Sequence, residues 1–219
     1  MPFLRDIQND KLVVSTLKGK SYYNITKFLK YNNLNYESLS PIEALESNAK
    51  IILTSREESI FFLKKQNTQI IHDTELNKEP VVIKAKIVKK IMEKMICDDQ
   101  LTIGIDPGNR IGIVVYYFHQ EIESIVLSSI ESVIRFLMII LEEISSCRKI
   151  VRIGDGDINM ARNLAEFIKF KFKRLVHIEI VNESGSSISS SIEVNRRIIR
   201  DKSSAKIIAF RNGKTFEIP

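Results

Sequence analysis

The sequence contains few of the residues that mark special classes of protein. Its 219 residues include no tryptophan, eight glycines, five prolines, three histidines and two cysteines. Two cysteines are too few for a disulfide scaffold, and Cys97 and Cys147 lack the close spacing of paired zinc ligands. No uninterrupted apolar run reaches the roughly 20 residues of a membrane-spanning helix, and the opening residues lack the layout of a secretory signal peptide. These absences favour a reduced, cytoplasmic protein.

The composition itself is that of an ordinary globular chain with a small basic excess. Apolar residues make up 44% and charged residues 27%, which excludes a disordered or collagen-like protein. The formal net charge is +6, a surplus that fits a solvated surface as well as a nucleic-acid partner. The length allows one large domain or two small ones.

A short polar break, Asp98-Asp99-Gln100, separates two patterns, so we predict two domains, 1–98 and 99–219. The first half alternates short β-branched runs with amphipathic segments, which is typical of a small α/β layer with parallel strands. It contains no glycine-rich phosphate loop, metal cluster or nucleophile–base pair, and its sequence indicates no function. The predicted strands are residues 12–17, 51–54 and 69–72, and the predicted helices are 24–31, 56–65 and 81–95.

The second half begins with three strands joined by tight turns. Pro107-Gly108-Asn109-Arg110 and Gln120-Glu121 are the predicted turns of an antiparallel meander. Two further strands alternate with helices and a last helix closes the domain, which gives the order β-β-β-α-β-α-β-α and a five-stranded mixed sheet. The strands are predicted at 101–106, 111–119, 122–127, 149–153 and 176–181, and the helices at 129–144, 158–173 and 192–210.

Carboxylates fall at the ends of the predicted strands in this half. Asp106 ends the first strand, Asp155 and Asp157 follow the fourth, and Glu183 follows the fifth. Because the carboxyl ends of parallel strands meet in one crevice, we expect these acids to converge. Asp201 lies in the apolar stripe of the closing helix, where an isolated carboxylate is costly unless it is paired or binds a cation.

A group of converging carboxylates needs a counter-charge, because like charges repel and raise one another's pKa. Mg²⁺ or Mn²⁺ supplies that charge, and two such ions about 4 Å apart can activate a water and stabilise the leaving oxygen of a phosphodiester. Zinc is not expected, because the histidines and cysteines are scattered. The alternatives for Asp201 are an ion pair with Arg197 or Arg200 on the same helix, or a break in the helix that lets the carboxylate reach water.

Three segments of the second half stand out as motifs: residues 104–112 read GIDPGNRIG, residues 182–187 read NESGSS, and residues 201–209 read DKSSAKIIA. The first resembles the GIDPGxRxG strand that opens the RuvC and YqgF resolvase-like families, which have the ribonuclease H fold. The second resembles the segment after the fifth strand of the YqgF group, and the third resembles the families' last helix. The predicted order of elements is also that of this fold. The first half is not covered by the resemblance.

The resemblance implies a metal-dependent endonuclease in which Asp106, Glu183 and Asp201 hold Mg²⁺ or Mn²⁺. Asp106 would contact both ions, and Asp201 would hold the second. Glu183 is the middle acid if the chain is YqgF-like, whereas RuvC-like enzymes take it from the fourth-strand region, where this chain has Asp155. Ser204 stands where RuvC has a second aspartate. The alternative is therefore a catalytically inactive ribonuclease H-like protein that binds nucleic acid or serves as a scaffold.

The expected substrate is structured nucleic acid, a DNA junction or a folded RNA, because no row of aromatic residues is arranged to stack single-stranded bases. The serine- and glycine-rich stretch 184–191 predicts a loop that orders when substrate docks. A resolvase that cuts two strands symmetrically also implies a homodimer. Basic residues near the acids are the expected phosphate contacts: Arg110, Arg196, Arg197, Arg200, Lys202 and Lys206.

The opening motif also resembles the first strand of the sugar-kinase and actin-like ATPase superfamily. Those proteins need Thr or Ser after the glycine to contact phosphate, whereas here Asn109 follows Gly108. They also need a second equivalent domain. Both departures favour the resolvase-like interpretation.

Overall fold

The chain forms two separate β-sheets, one in each of two units. A computed structural model describes residues 12–93, 99–183 and 194–217, with the backbone alone described for 194–200. The units are Met1–Ile96 and Cys97–Pro219. Each sheet is accompanied by helices, and the described residues form six α-helices, which confirms the predicted α/β class. No helix among them is long and apolar enough to cross a membrane.

The first unit contains a four-stranded sheet whose strands are all parallel, as the alternating pattern predicts. The strand order is β2-β1-β3-β4. Its buried core includes Val13 and Ile52 from the two central strands and Phe62 from a 3-10 turn. The strands are β1 (Leu12–Val14), β2 (Glu37–Ser38), β3 (Ile51–Thr54) and β4 (Gln69–His72), and the helices are α1 (Gly19–Tyr31), α2 (Pro41–Glu46) and α3 (Pro80–Ile91).

Three elements of this unit differ from the sequence prediction. The segment predicted as a helix over 56–65 forms only a 3-10 turn at Glu58–Phe62. The short elements β2 and α2 were not predicted, because two exposed residues and a single helical turn carry no readable periodicity. A local pattern did mark α2: Ser40 and Glu43 form a capping box, and Pro41 occupies the first helical turn.

The second unit has the predicted order of elements plus one further strand. Strands β5, β6 and β7 are an antiparallel meander, while β8 and β9 run parallel to β5. The strand order is β10-β9-β8-β5-β6-β7. The elements are β5 (Gln100–Asp106), β6 (Ile111–Tyr117), β7 (Gln120–Leu127), α4 (Ile130–Glu143), β8 (Arg148–Gly154), α5 (Ile158–Phe172), β9 (His177–Val181), α6 (Val194–Phe210) and β10 (Lys214–Thr215).

The predicted five-stranded sheet therefore has six strands, and one predicted turn is shifted. Strand β10 has only two residues, and it pairs antiparallel with the outer edge of β9. Gly213 permits this return, because a Cβ there would lie 2.6 Å from the Ile180 carbonyl oxygen. The turn between β6 and β7 is Phe118-His119 rather than Gln120-Glu121, with φ of 49° and 60° at its two residues. Two left-handed residues are typical of tight hairpin turns.

Candidate carboxylate site

Helix α6 lies directly against β5 and β6 because glycines face it. A Cβ at Gly104 would overlap the carbonyl oxygen of Ala205 and lie 2.7 Å from the Cβ of Ala209. A Cβ at Gly112 would overlap the carbonyl oxygen of Asp201 and lie 2.8 Å from its carbonyl carbon. Only glycine permits such an approach between a helix backbone and a sheet. The same seam contains a buried cluster of Val114, Tyr116, Ala205 and Ala209.

Asp106 and Asp201 lie at the same end of this seam. Asp106 is the last residue of β5 and pairs with Gly112 of β6. Because side chains alternate along a strand, Asp106 shares the face of Gly104, which is the face that α6 covers. Asp201 is 9% exposed, as its place in the apolar stripe predicts. Since Gly112 touches the backbone of Asp201, the helix brings that residue to the end of β5.

Glu183 belongs to the same face. It lies two residues beyond β9, and its Oε1 accepts the backbone N–H of Gly156 at 3.0 Å. A Cβ at Gly154, the last residue of β8, would lie 2.8 Å from Cδ of Glu183 and also 2.8 Å from Cδ1 of Ile208 in α6. The Glu183 carboxylate therefore lies between the end of β8 and helix α6.

The other two candidate acids bind local backbone and side-chain groups. Asp155 Oδ1 accepts the N–H of Glu183 at 2.9 Å, and its Oδ2 accepts Nδ2 of Asn182 at 2.9 Å. Asp157 is the N-cap of α5, where its Oδ1 accepts the N–H of Met160 at 3.0 Å. Asp155 therefore holds the segment that carries Glu183, whereas Asp157 caps helix α5.

The predicted phosphate contacts are described only in part. Arg110 is exposed in the turn after β5, and Lys202 is half-buried on α6. Lys206 pairs with Glu121 of β7 at 2.8 Å, so its charge is already balanced within the unit. The side chains of Arg196, Arg197 and Arg200 lie outside the described residues, as does the loop 184–191.

A partly buried ion pair that the sequence did not indicate holds the far end of α6. Arg152 Nε lies 2.7 Å from Glu179 Oε2, and Arg152 Nη1 donates to the Ala209 carbonyl oxygen at 2.6 Å. The N–H of Gly213 also donates to Glu179 Oε2, at 3.2 Å. Burial raises the pKa of Glu179, but hydrogen bonds from Arg152 and Gly213 outweigh it and hold the pKa below its usual range. Arg152 and Glu179 occupy paired positions on neighbouring strands, a relation that appears only once strand register is known.

The three acids offer the donor type that a divalent cation prefers. Mg²⁺ and Mn²⁺ prefer carboxylate oxygens, and Asp106, Glu183 and Asp201 offer them on one face of the sheet. Within residues 12–93, 99–183 and 194–217, however, no group of three or more His, Cys, Asp or Glu side chains is arranged so that it could hold a metal ion. The three carboxylates thus share a face without forming a closed ligand set.

Comparison with known proteins adds little to this description. No family model and no curated protein matches the chain. Among solved structures, the chain is similar to Marinitoga piezophila Argonaute in complex with a 5′ OH guide RNA, with 14% sequence identity and a TM-score of 0.26. The match covers 80% of this chain and 40% of the Argonaute chain. At that TM-score the likeness carries no weight for fold or function.

Proposed function

We propose that the second unit is a metal-dependent nuclease of the ribonuclease H type, related to the RuvC and YqgF resolvases, that hydrolyses phosphodiesters in structured nucleic acid. One observation carries the proposal. Asp106, Glu183 and Asp201, each from a different motif of the sequence, lie on one face at the carboxyl ends of parallel strands. This is the edge of an α/β sheet at which ligands bind.

The residues of the chain have distinct parts in this proposal. Asp106 and Glu183 project from strand ends and Asp201 from a helix, so the site is held by three different elements. Burial of Asp201 strengthens its interaction with any nearby cation, because charges interact more strongly away from water. Mg²⁺ or Mn²⁺, when bound, would activate a water and stabilise the leaving oxygen. Arg110 is exposed four residues beyond Asp106 and would contact the phosphate.

A second candidate is a catalytically inactive module of the same fold that binds nucleic acid. It is favoured by the lack, in the part of the chain that the structure describes, of an acidic group closed enough to hold a metal. The serine at position 204, where RuvC has an aspartate, also favours the inactive module.

Cleavage of labelled DNA junctions and RNA hairpins, titrated with Mg²⁺ and Mn²⁺, separates the two candidates. Asp106→Asn and Asp201→Asn should each abolish metal-dependent cleavage while the fold, followed by circular dichroism, persists. Asp157→Asn is the matched control, because Asp157 caps α5 and should leave cleavage unchanged. If cleavage survives both substitutions, the proposal that these acids form the active site of a nuclease is wrong. Binding without cleavage that weakens steeply with salt would support the inactive module.

The nuclease proposal extends to a homodimer, since symmetric cutting of two strands requires two sites. Light scattering after size exclusion, with and without a junction, measures this directly. A monomer in both conditions would restrict the proposal to cutting of one strand.

A further inference from the structure

The structure assigns to Asp155 the role of a positioning residue for Glu183. The inference rests on the proposed function, in which Glu183 is one of the metal-binding acids. Both oxygens of the Asp155 carboxylate bind the segment that carries Glu183, one through the Glu183 N–H and the other through Asn182 Nδ2, each at 2.9 Å. Asp155 therefore acts on the main chain of Glu183 and is not itself the middle acid.

The side chain of Glu183 is held by the two glycines on either side of Asp155. Gly156 donates its N–H to Oε1 at 3.0 Å, and a Cβ at Gly156 would lie 3.0 Å from both carboxylate oxygens. A Cβ at Gly154 would lie 2.8 Å from the carboxyl carbon. The turn Gly154-Asp155-Gly156, which we call the Glu183 cradle, thus encloses the backbone and the carboxylate together.

The Glu183 cradle fixes the chain beyond the end of strand β9, where no ladder hydrogen bond of the described residues does so. Strand β9 ends at Val181, whose carbonyl oxygen accepts the N–H of Asp155 at 3.0 Å, and Glu183 lies beyond that last ladder bond. Without further contacts the backbone there would sample several conformations. Groups that orient a metal ligand from behind raise metal affinity because they fix the ligand before the metal binds. Asp155 supplies that orientation by accepting the Glu183 N–H.

The test measures binding of Mn²⁺ alone to the full chain by calorimetry and electron paramagnetic resonance. Asp155→Ala should weaken binding about tenfold, the loss typical of a residue that orients a metal ligand. Asp155→Asn should restore most of the affinity, because its amide oxygen can still accept the Glu183 N–H. Glu183→Gln should weaken binding more than either. Asp157→Ala is the matched control, since it removes a similar backbone-capping carboxylate two residues away.

The outcomes distinguish this inference from the proposed function. If Glu183→Gln weakens Mn²⁺ binding and Asp155→Ala does not, the inference about Asp155 is wrong, but the proposed nuclease function is not contradicted. If Asp155→Asn is as damaging as Glu183→Gln, Asp155 is itself a ligand and the inference is again wrong. If the wild type does not bind Mn²⁺, or Glu183→Gln binds it normally, the proposed function fails first.

A second variant keeps the test decisive if Asp155→Ala does not fold. Gly156 is exposed, so Gly156→Ala should fold, yet its new methyl group would press on both Glu183 oxygens while Asp155 stays intact. Weaker Mn²⁺ binding by this variant supports the cradle, and unchanged binding contradicts it.

Discussion

Carboxylates near the strand ends have different surroundings in the two sheets. In the first unit Glu58 is 8% exposed and has several donors of its own: Ser55 Oγ at 2.7 Å, the Leu17 N–H at 2.8 Å and the Thr16 hydroxyl. Burial raises the pKa of Glu58, but these hydrogen bonds outweigh it and hold the pKa below its usual range. A single acid bound by donors from two loops fastens those loops together.

In the second unit three acids share one face. Asp106, Glu183 and Asp201 come from β5, the segment after β9, and α6, and glycines allow the three elements to approach. Of these acids, Glu183 accepts the backbone N–H of Gly156 at 3.0 Å. The comparison teaches that burial alone does not mark a functional acid. Glu58 is bound by donors from two loops of its own unit, whereas the three acids of the second unit lie on one face of the sheet.

The largest effect should come from removing the acid of the first unit. Glu58→Ala leaves two hydroxyls and an N–H without their acceptor, so we expect a loss of about 3 kcal/mol in the free energy of unfolding, since hydrogen bonds to charged groups contribute most. Urea denaturation followed by circular dichroism measures it. A loss below about 0.5 kcal/mol, the size of an ordinary surface substitution, would contradict the role of Glu58.

The same acid predicts a pH dependence. The folded-state pKa of Glu58 lies below its unfolded value, so the carboxylate contributes stability above the unfolded pKa and loses it as pH falls through the folded pKa. The wild type should therefore lose stability under acid conditions more steeply than Glu58→Gln, which cannot titrate. Parallel pH series of thermal melts would show equal slopes if this assignment is wrong.

The next effect concerns the seam of the second unit. Gly104→Ala would place a methyl group against the α6 backbone at Ala205 and Ala209, at a cost of about 2 kcal/mol, as is usual for overpacking. Gly108→Ala is the matched control, because its nearest neighbour would be the Arg110 carbonyl oxygen at 3.7 Å, an ordinary contact. Equal melting temperatures of the two variants would contradict the close packing of α6.

A smaller effect of opposite sign is expected from Asp201. In the absence of divalent cations, Asp201→Asn should leave stability unchanged or raise it by about 1 kcal/mol, because under the proposed function it removes one of several like charges from the metal site. Adding Mn²⁺ should stabilise the wild type and not the variant. A clear loss of stability in the metal-free variant would show that Asp201 is a structural acid like Glu58.

The smallest effect is expected at the pair of Lys206 and Glu121. Its side chains are 42% and 14% exposed, so Lys206→Ala should cost less than about 1 kcal/mol. Nucleic-acid binding is the more informative measurement. If Lys206 contacts phosphate, its removal should weaken binding of all sequences alike and lower the salt dependence. Unchanged binding would leave Lys206 as a partner of Glu121 only.

Long, regular elements of the fold were predictable from sequence, whereas features that depend on register were not. Strands β3 and β4 have the predicted bounds, because a short run of isoleucines marks each of them. Burial of Asp201 followed from helical spacing alone. Strand β10 has two residues and therefore no pattern, and the pair Arg152–Glu179 spans 27 positions along the chain. The resemblance left Asp155 and Glu183 as alternatives, and our proposal of distinct roles for them rests on the hydrogen bonds that Asp155 accepts from Glu183 and Asn182.

The partly buried pair of Arg152 and Glu179 has a consequence for how the second unit folds. Arg152 reaches 57 positions along the chain to the Ala209 carbonyl oxygen, and Glu179 accepts from Gly213 in the returning tail. Contacts so distant in sequence form late in folding, because a long loop must close before they contribute. Helix α6 should therefore dock after the sheet is built, and local opening of the tail should release the helix that carries Asp201 while the strands stay paired.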